Sequence, residues 1–369
     1  MTYVDPLNTT TPYLLYTDAV EEPDDDEAET IAGIIEAMSG ASEKMEKRYG
    51  HAVRTSHAKA HGIARGELRV IDGLADVLRQ GLFADAKTYP VIVRLAHVPG
   101  ELLDDSKVST PRGMAIKILG VEGPMLQAGS TTQDFVLDTG RTFPSPGPKA
   151  FLATIKTIGA AAPAPQGIKE AVSAVSRVTN AALNAVGANS PNLDFFGHPK
   201  LLPLAESYYS QTPFRFGRYV AKLRVRPVTP ALVAQADETL DFGDDENGLR
   251  TAVTGFLRSS SAEYEVAVQL CTDLDAMPIE NAHAEWSEED SPFLPVAHLV
   301  LPAQDAYSAA RKAYGENLSF SPAHSIAAFR PLGGLNRARL AVYGPMAALR
   351  RGHNGVAVAE PTSIDAMPD

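Results

Sequence analysis

Eight short segments between Val53 and Leu301 constrain this chain more than any other feature of it. They lie near residues 53–58, 64–71, 90–98, 113–120, 132–138, 219–228, 262–271 and 293–301, and most alternate apolar with polar residues. A period of two is that of a β-strand, and runs this short are poor candidates for buried helices. The stretch from Arg54 into Glu67–Ile71 reads as strand, tight glycine turn, strand, while Pro90 opens the next run, where proline is acceptable as a first strand residue. Eight such strands fit a closed antiparallel barrel, which leaves no edge exposed. Helical spacing appears around them. Ile31, Ile34, Ile35, Met38 and Met45 mark an amphipathic helix from Thr30 to about Tyr49. An Ala-rich helix runs from Phe151 to about Gly187 with a break near Ala162–Pro165, and further helices are expected over His198–Gln211, Val228–Ala236 and Gly248–Arg258. The expected class is α+β, an eight-stranded barrel flanked by helices.

With 369 residues, 44% of them hydrophobic, the chain can bury a sizeable core. A net charge of −12 argues against nucleic acid or an anionic membrane surface as partner. No apolar run reaches the roughly 18 residues of a membrane span, and the N-terminus lacks a secretory pattern. The single cysteine, Cys271, permits no internal disulfide and no multi-cysteine metal site, so a cytoplasmic location is expected. Residues 1–29, ending in a run of acidic side chains, read as a flexible arm, residues 30–358 as one domain, and 359–369 as a tail.

The last helical stretch carries the first hint of chemistry. Asn336 suits an N-cap and Gly352 a C′ position, which sets a helix from about Arg337 to Arg351. On it Arg339, Tyr343 and Arg350 fall within an arc of roughly 40°. Pro345 has no N–H for the Ala341 carbonyl, so a bend is expected just past the tyrosine. A cation one turn before a tyrosine favours its phenolate, which is a strong ligand for ferric iron.

Five motifs, spread from about Arg54 to Arg351 and in the same order, resemble the haem catalase family. They are RTSHAKAHG at 54–62, YPVIVRLAHV at 89–98, PRGMAIK at 111–117, TQDFVLD at 132–138, and LSFSP at 318–322 followed by ARLAVY at 338–343. The resemblance implies a haem b site in which Tyr343 is the axial iron ligand and Arg339 its partner. It places His57 above the iron as distal acid/base, and assigns Arg54, Arg94 and Arg350 to the haem propionates, with Arg112 and Phe143 also on the cofactor side. Two positions depart from the family pattern. Ala96 stands where a serine usually orients the distal histidine, and Asp138 followed by Thr139 stands where the family has its distal asparagine. Ser56 adds a hydroxyl beside His57, and His61 is assigned a structural role.

The resemblance therefore implies a haem-dependent hydroperoxidase that cleaves the O–O bond of hydrogen peroxide or of an organic or fatty-acid hydroperoxide, the latter as a lyase or dehydratase in some small relatives. Altered Ala96, Asp138 and Thr139, together with a shell shorter than that of full-length catalases, favour organic hydroperoxides. The alternatives are a true catalase disproportionating hydrogen peroxide and a non-catalytic haem carrier or sensor; a homo-oligomer is compatible with each.

Overall fold

The computed structural model describes residues 13–161, 197–358 and 360–369. Nine strands are formed: β1 Ala60–Val70, β2 Thr88–His97, β3 Arg112–Leu119, β4 Thr132–Asp138, β5 Tyr208–Tyr209, β6 Phe214–Phe216, β7 Tyr219–Pro227, β8 Ala262–Leu270 and β9 Phe293–Leu301. Every neighbouring pair is antiparallel, and the order β1–β2–β3–β4–β5–β7–β8–β9 returns to β1 through Glu67↔Val300 and its neighbours. The result is a closed eight-stranded barrel, with β6 hairpinned onto β7.

Alternation decides which side chains fill it. Val91, Val93 and Leu95 of β2, Ile116 and Ile118 of β3, and Val225 of β7 join one core cluster, closed by the rings of Phe83, Phe135, Phe214, Phe216 and Phe329. Phe216 and Phe329 stack with ring centroids 5.6 Å apart. Gly66 permits the β1–β9 contact, because a Cβ there would lie 2.4 Å from the Val300 carbonyl oxygen.

The strand count matches expectation, but one member differs. Residues 53–58 are not a strand: the chain turns sharply at His57, whose φ of +55° is left-handed and cannot continue an extended run. Gly62 is no turn either. It follows a register shift inside a continuous β1, where a Cβ would lie 2.9 Å from Val253 Cγ1. The eighth barrel member is instead β5, within a stretch expected to be helical. Two residues suffice there, since Tyr209 pairs with Asp138 on one side and with Arg224 on the other.

Helices cover the barrel. We label them α1 Glu27–Tyr49, α2 Pro148–Ala161, α3 Gly248–Ser259, α4 Ala309–Asn317 and α5 Gly334–Asn354. The remainder of the expected Ala-rich helix, with its break, lies outside the described residues, and between β7 and α3 only Pro230–Val233 is helical. The helix α1 packs on α2 and α5, with Ile34, Ala338 and Val342 buried at the junction. Among the described residues no helix is long and apolar enough to cross a membrane.

The bounds of α5 differ from the sequence reading at both ends. It begins at Gly334 because carboxylates remote in sequence cap it: Glu21 accepts from the Gly333 amide at 2.8 Å and Glu280 from the Gly334 amide at 2.7 Å. Asn336 therefore does not cap; its amide donates to the Pro213 and Leu332 carbonyls. The helix runs on past Gly352 to Gly355, which adopts the left-handed cap with φ 63°. The acidic run read as a loose arm makes specific contacts where it is described. Glu21 and Glu27 both pair with Arg337 at 2.7 Å, and Val20 is buried beside Trp286. In the tail Met367 is buried and Asp369 pairs with Arg65 at 2.7 Å.

Candidate active site

Beside the barrel lies a cleft enclosing about 810 Å³ of space, open mouth included. Its floor is the outer face of β2, β3 and β4. Ala96, Gly113 and Asp138 are paired side by side across the three strands, and Arg94, Ala115 and Val136 form the next such row. The small residues Ala96, Gly113 and Ala115 leave this face flat. The opposite elements supply Leu318, Ser319 and Phe320 from the segment after α4, and Val342, Tyr343, Met346, Ala347 and Arg350 from α5.

His57 is laid onto that floor by its loop. Its amide donates to the Val98 carbonyl at 2.8 Å, its carbonyl accepts from Arg94 at 2.8 Å, and two residues on Lys59 is anchored in a buried pair with Asp105 at 2.8 Å. The imidazole rests against Gly113, where an added Cβ would stand 2.5 Å from its Cε1 and Nδ1. Its Nε2 lies 3.6 Å from Asp138 Oδ1. Burial lowers the imidazole's pKa; Asp138 opposes this, while Arg94, Arg339 and Arg54 add to it. A neutral imidazole is the form that can accept a proton. Burial raises the Asp138 carboxyl, against the pull of His57 and Arg339. Its side chain keeps 21% of its surface accessible, yet Oδ1 itself is buried and has no hydrogen-bond partner among the described residues. Ser56 lines the cleft, though its hydroxyl donates to the Val98 carbonyl at 3.0 Å.

Three guanidiniums define one end of the cleft. Arg54 donates to the Gly315 and Leu318 carbonyls, Arg350 to Glu316 and Leu318, and Arg94 to His57 and Ala58. Among the described residues, the carboxylate paired with this group is Glu316, 3.3 Å from Arg54. Burial, with Arg54 as a like-charge neighbour, brings both Arg94 and Arg350 down to about 9. Arg94 Nε has no hydrogen-bond partner among the described residues. Two buried guanidiniums and a third largely buried one, against one carboxylate among the described residues, make a site that lacks negative charge, and a ligand bearing carboxylates would complete it.

On the α5 wall, Tyr343 lines the cleft, and its hydroxyl has no hydrogen-bond partner among the described residues. Arg339 lies over the ring, its Cζ 5.6 Å from the centroid, and donates to Asn336 Oδ1 at 3.0 Å and the Val136 carbonyl at 3.4 Å. The pair is thus a cation over a ring, with the phenolic oxygen left free.

His57, Ser56, Arg54, Arg94, Tyr343 and Arg350 therefore line one cleft, and Arg339 and Asp138 stand directly behind it. Arg112 and Phe143 do not line it. The Arg112 guanidinium is fully buried against Ser109, Pro199 and Glu206, and Thr139 is tied to its backbone, Oγ1 accepting from the Arg112 amide at 3.3 Å. Phe143 packs on Phe151 of α2, ring centroids 5.5 Å apart. Sequence reasoning missed Glu316, two residues before the LSFSP motif. It also missed the part played by Gly113, which sits inside a quoted motif but shows its function only once His57 is placed upon it.

No protein-family model matches this chain, and no curated protein matches it in sequence. Solved structures do. A bacterial catalase matches with TM-score 0.58 and 18% identity over 85% of this chain and 62% of its own. A fungal catalase matches with TM-score 0.58 and 16% identity over 95% and 68%, and catalase A from Saccharomyces cerevisiae with TM-score 0.58 and 15% identity over 93% and 68%. The closed barrel with its covering helices is thus a catalase-type fold. The chain spans about 62% of the length of the bacterial catalase it matches.

Proposed function

We propose that residues 30–358 form a haem domain, and that the chain binds haem b in this cleft and cleaves the O–O bond of hydroperoxides. The observation that carries this reading is the under-neutralised Arg54, Arg94 and Arg350 cluster, set in the same cleft as a free phenol and an imidazole biased to its neutral form. The flat floor of Ala96, Gly113 and Ala115 suits a planar macrocycle. The three arginines would hold the two propionates, and Tyr343 would ligate iron through its unpartnered oxygen, with Arg339 over its ring. When bound, haem would supply the coordination site for peroxide and the two electrons that heterolysis needs. His57 would take the proton of the inner peroxide oxygen and return it to the outer one, which departs as water or an alcohol. Because Met38, Leu318, Phe320, Val342 and Met346 make much of the lining apolar, an organic hydroperoxide, a fatty-acid one included, is favoured over hydrogen peroxide.

A visible spectrum of the protein titrated with haem tests the reading. A Soret band lost or grossly changed in Tyr343→Phe is expected; an identical band in that variant refutes the ligand. Oxygen release from hydrogen peroxide, set against consumption of a fatty-acid hydroperoxide by the same preparation, separates catalase from hydroperoxidase. Turnover in His57→Ala equal to wild type would mean that His57 contributes nothing to the peroxide chemistry and would refute its role as distal acid/base.

A further inference from the structure

Backbone carbonyls do most of the holding at the cationic end of the cleft. Arg54 donates to the Gly315 and Leu318 carbonyls at 2.7 Å each, and Arg350 to the carbonyls of Glu316 and Leu318. The last turn of α4 and the residue that follows it thus present the negative end of the helix to both side chains. Carbonyls fix a guanidinium in place, but they bring no net charge. The Glu316 side chain does. Its Oε2 stands 3.3 Å from Arg54 Nη1, and its charge favours the protonated form of Arg54, Arg94 and Arg350 alike. That side chain is 37% accessible, against 13% for Arg54, and it does not line the cleft, whereas all three arginines do. Three positive charges less one negative leave two, the number that the two propionates of haem b would cancel.

Resting on the haem reading, we propose that Glu316 is a built-in counter-charge that fits this end of the cleft to a dianionic ligand, acting through the arginines and touching no ligand itself. In the empty cleft its carboxylate offsets part of the repulsion among Arg54, Arg94 and Arg350. In the filled cleft the same charge repels the carboxylates of the ligand. Glu316 therefore stabilises the empty protein and weakens the grip on each carboxylate that enters. The carbonyls of Gly315, Glu316 and Leu318 keep Arg54 and Arg350 in position whatever the charge of the side chain.

Glu316→Gln removes the charge and keeps an oxygen that can accept from Arg54. Wild type and variant are titrated at low salt with iron protoporphyrin, its monomethyl ester and its dimethyl ester, which offer two, one and no free carboxylates. The variant should bind the diacid about tenfold more tightly and the monoester about threefold more tightly, with the diester unchanged. A change of equal size for all three porphyrins would mark a structural effect and overturn the proposal, as would a diacid affinity that is unchanged or weaker. Thermal unfolding of the empty proteins gives a second readout. The variant should unfold at a lower temperature than wild type in low salt, and the gap should narrow in about 1 M salt, where exposed charges are screened. An empty variant at least as stable as wild type overturns the counter-charge role. If wild type takes up none of the three porphyrins, the haem reading fails instead, and the unfolding comparison still decides what Glu316 does.

Discussion

Gly113→Ala places one methyl group where the structure has none to spare. Its Cβ would sit 2.5 Å from Cε1 and Nδ1 of His57 and 3.1 Å from Asp138 Oδ1. Ordinary contact between such atoms is about 3.5 Å, so the imidazole must retreat by roughly 1 Å. The His57 backbone is clamped through Val98 and Arg94, and Gly113 is paired on both sides within the sheet, so the ring must absorb the change. Overpacking of this kind costs about 1–3 kcal/mol in stability. A displacement of about 1 Å at a reacting group costs about 10²-fold in rate. Gly113→Ala should therefore fold, take up haem with a normal Soret band, and consume hydroperoxide about a hundredfold more slowly. In a His57→Ala background the same substitution should have little further effect, because the group it displaces is gone. Wild-type turnover in Gly113→Ala, or an equal loss with and without the histidine, would refute the placement of His57 on this glycine.

Phe329→Ala should lower stability by about 3–5 kcal/mol in denaturant unfolding, since the ring is buried and meets Phe83, Phe214 and Phe216 within 6 Å; a loss below about 1 kcal/mol would show that the ring stack is not a core. Arg337→Ala strips the cation from Glu21, Glu27 and Glu280 and should cost about 3 kcal/mol, with Glu21→Gln partly restoring stability in the variant; no rescue would count against a charge-based effect. Burial brings Lys222 down to about 8, against roughly 10.4 in the unfolded chain, so unfolded protein binds the extra proton between these values. The penalty is fully present below pH 8 and is relieved as pH rises towards 10. The stability of wild type relative to Lys222→Met should therefore improve by up to about 3 kcal/mol across that interval, and a flat difference would contradict it.

Much of this site could be read from the sequence because its groups belong to short local motifs with strong chemistry. His57, Arg54, Arg94 and Tyr343 were singled out by motifs that resemble the haem catalase family, and the structure brings all four to one cleft. Arg112 lies off the cleft because its motif gives the strand but not the face. In a strand of period two, Gly113 and Ala115 line the cleft, while Arg112, one position off, reaches Ser109 and Pro199 instead. Phe143 was placed by counting along an ungapped stretch, and what holds it is Phe151, a contact that spacing does not encode. The barrel count was legible, the closing strand was not. Tyr208–Tyr209 is too short to show alternation, and its pairing is fixed by β4 and β7 on either side. The start of α5 was hidden for a related reason, since its caps come from Glu21 and Glu280, distant in sequence.

The cationic end of the cleft and the basicity of His57 are joined by one field. Arg94 and Arg54 both disfavour the imidazolium, and both belong to the cluster that lacks negative charge. Burial of the arginines costs stability unless an anion arrives, so the protein alone holds the cluster at a disadvantage. A dicarboxylate ligand bound there would cancel much of the positive potential at His57, because Coulomb interactions at such distances are only weakly screened inside a protein. The imidazole would then hold a proton more readily than it does beside bare guanidiniums. Occupancy of the cationic end and the proton affinity of His57 are therefore linked: a ligand that completed the charge balance would also strengthen the base, and a cleft without it keeps His57 a weaker one.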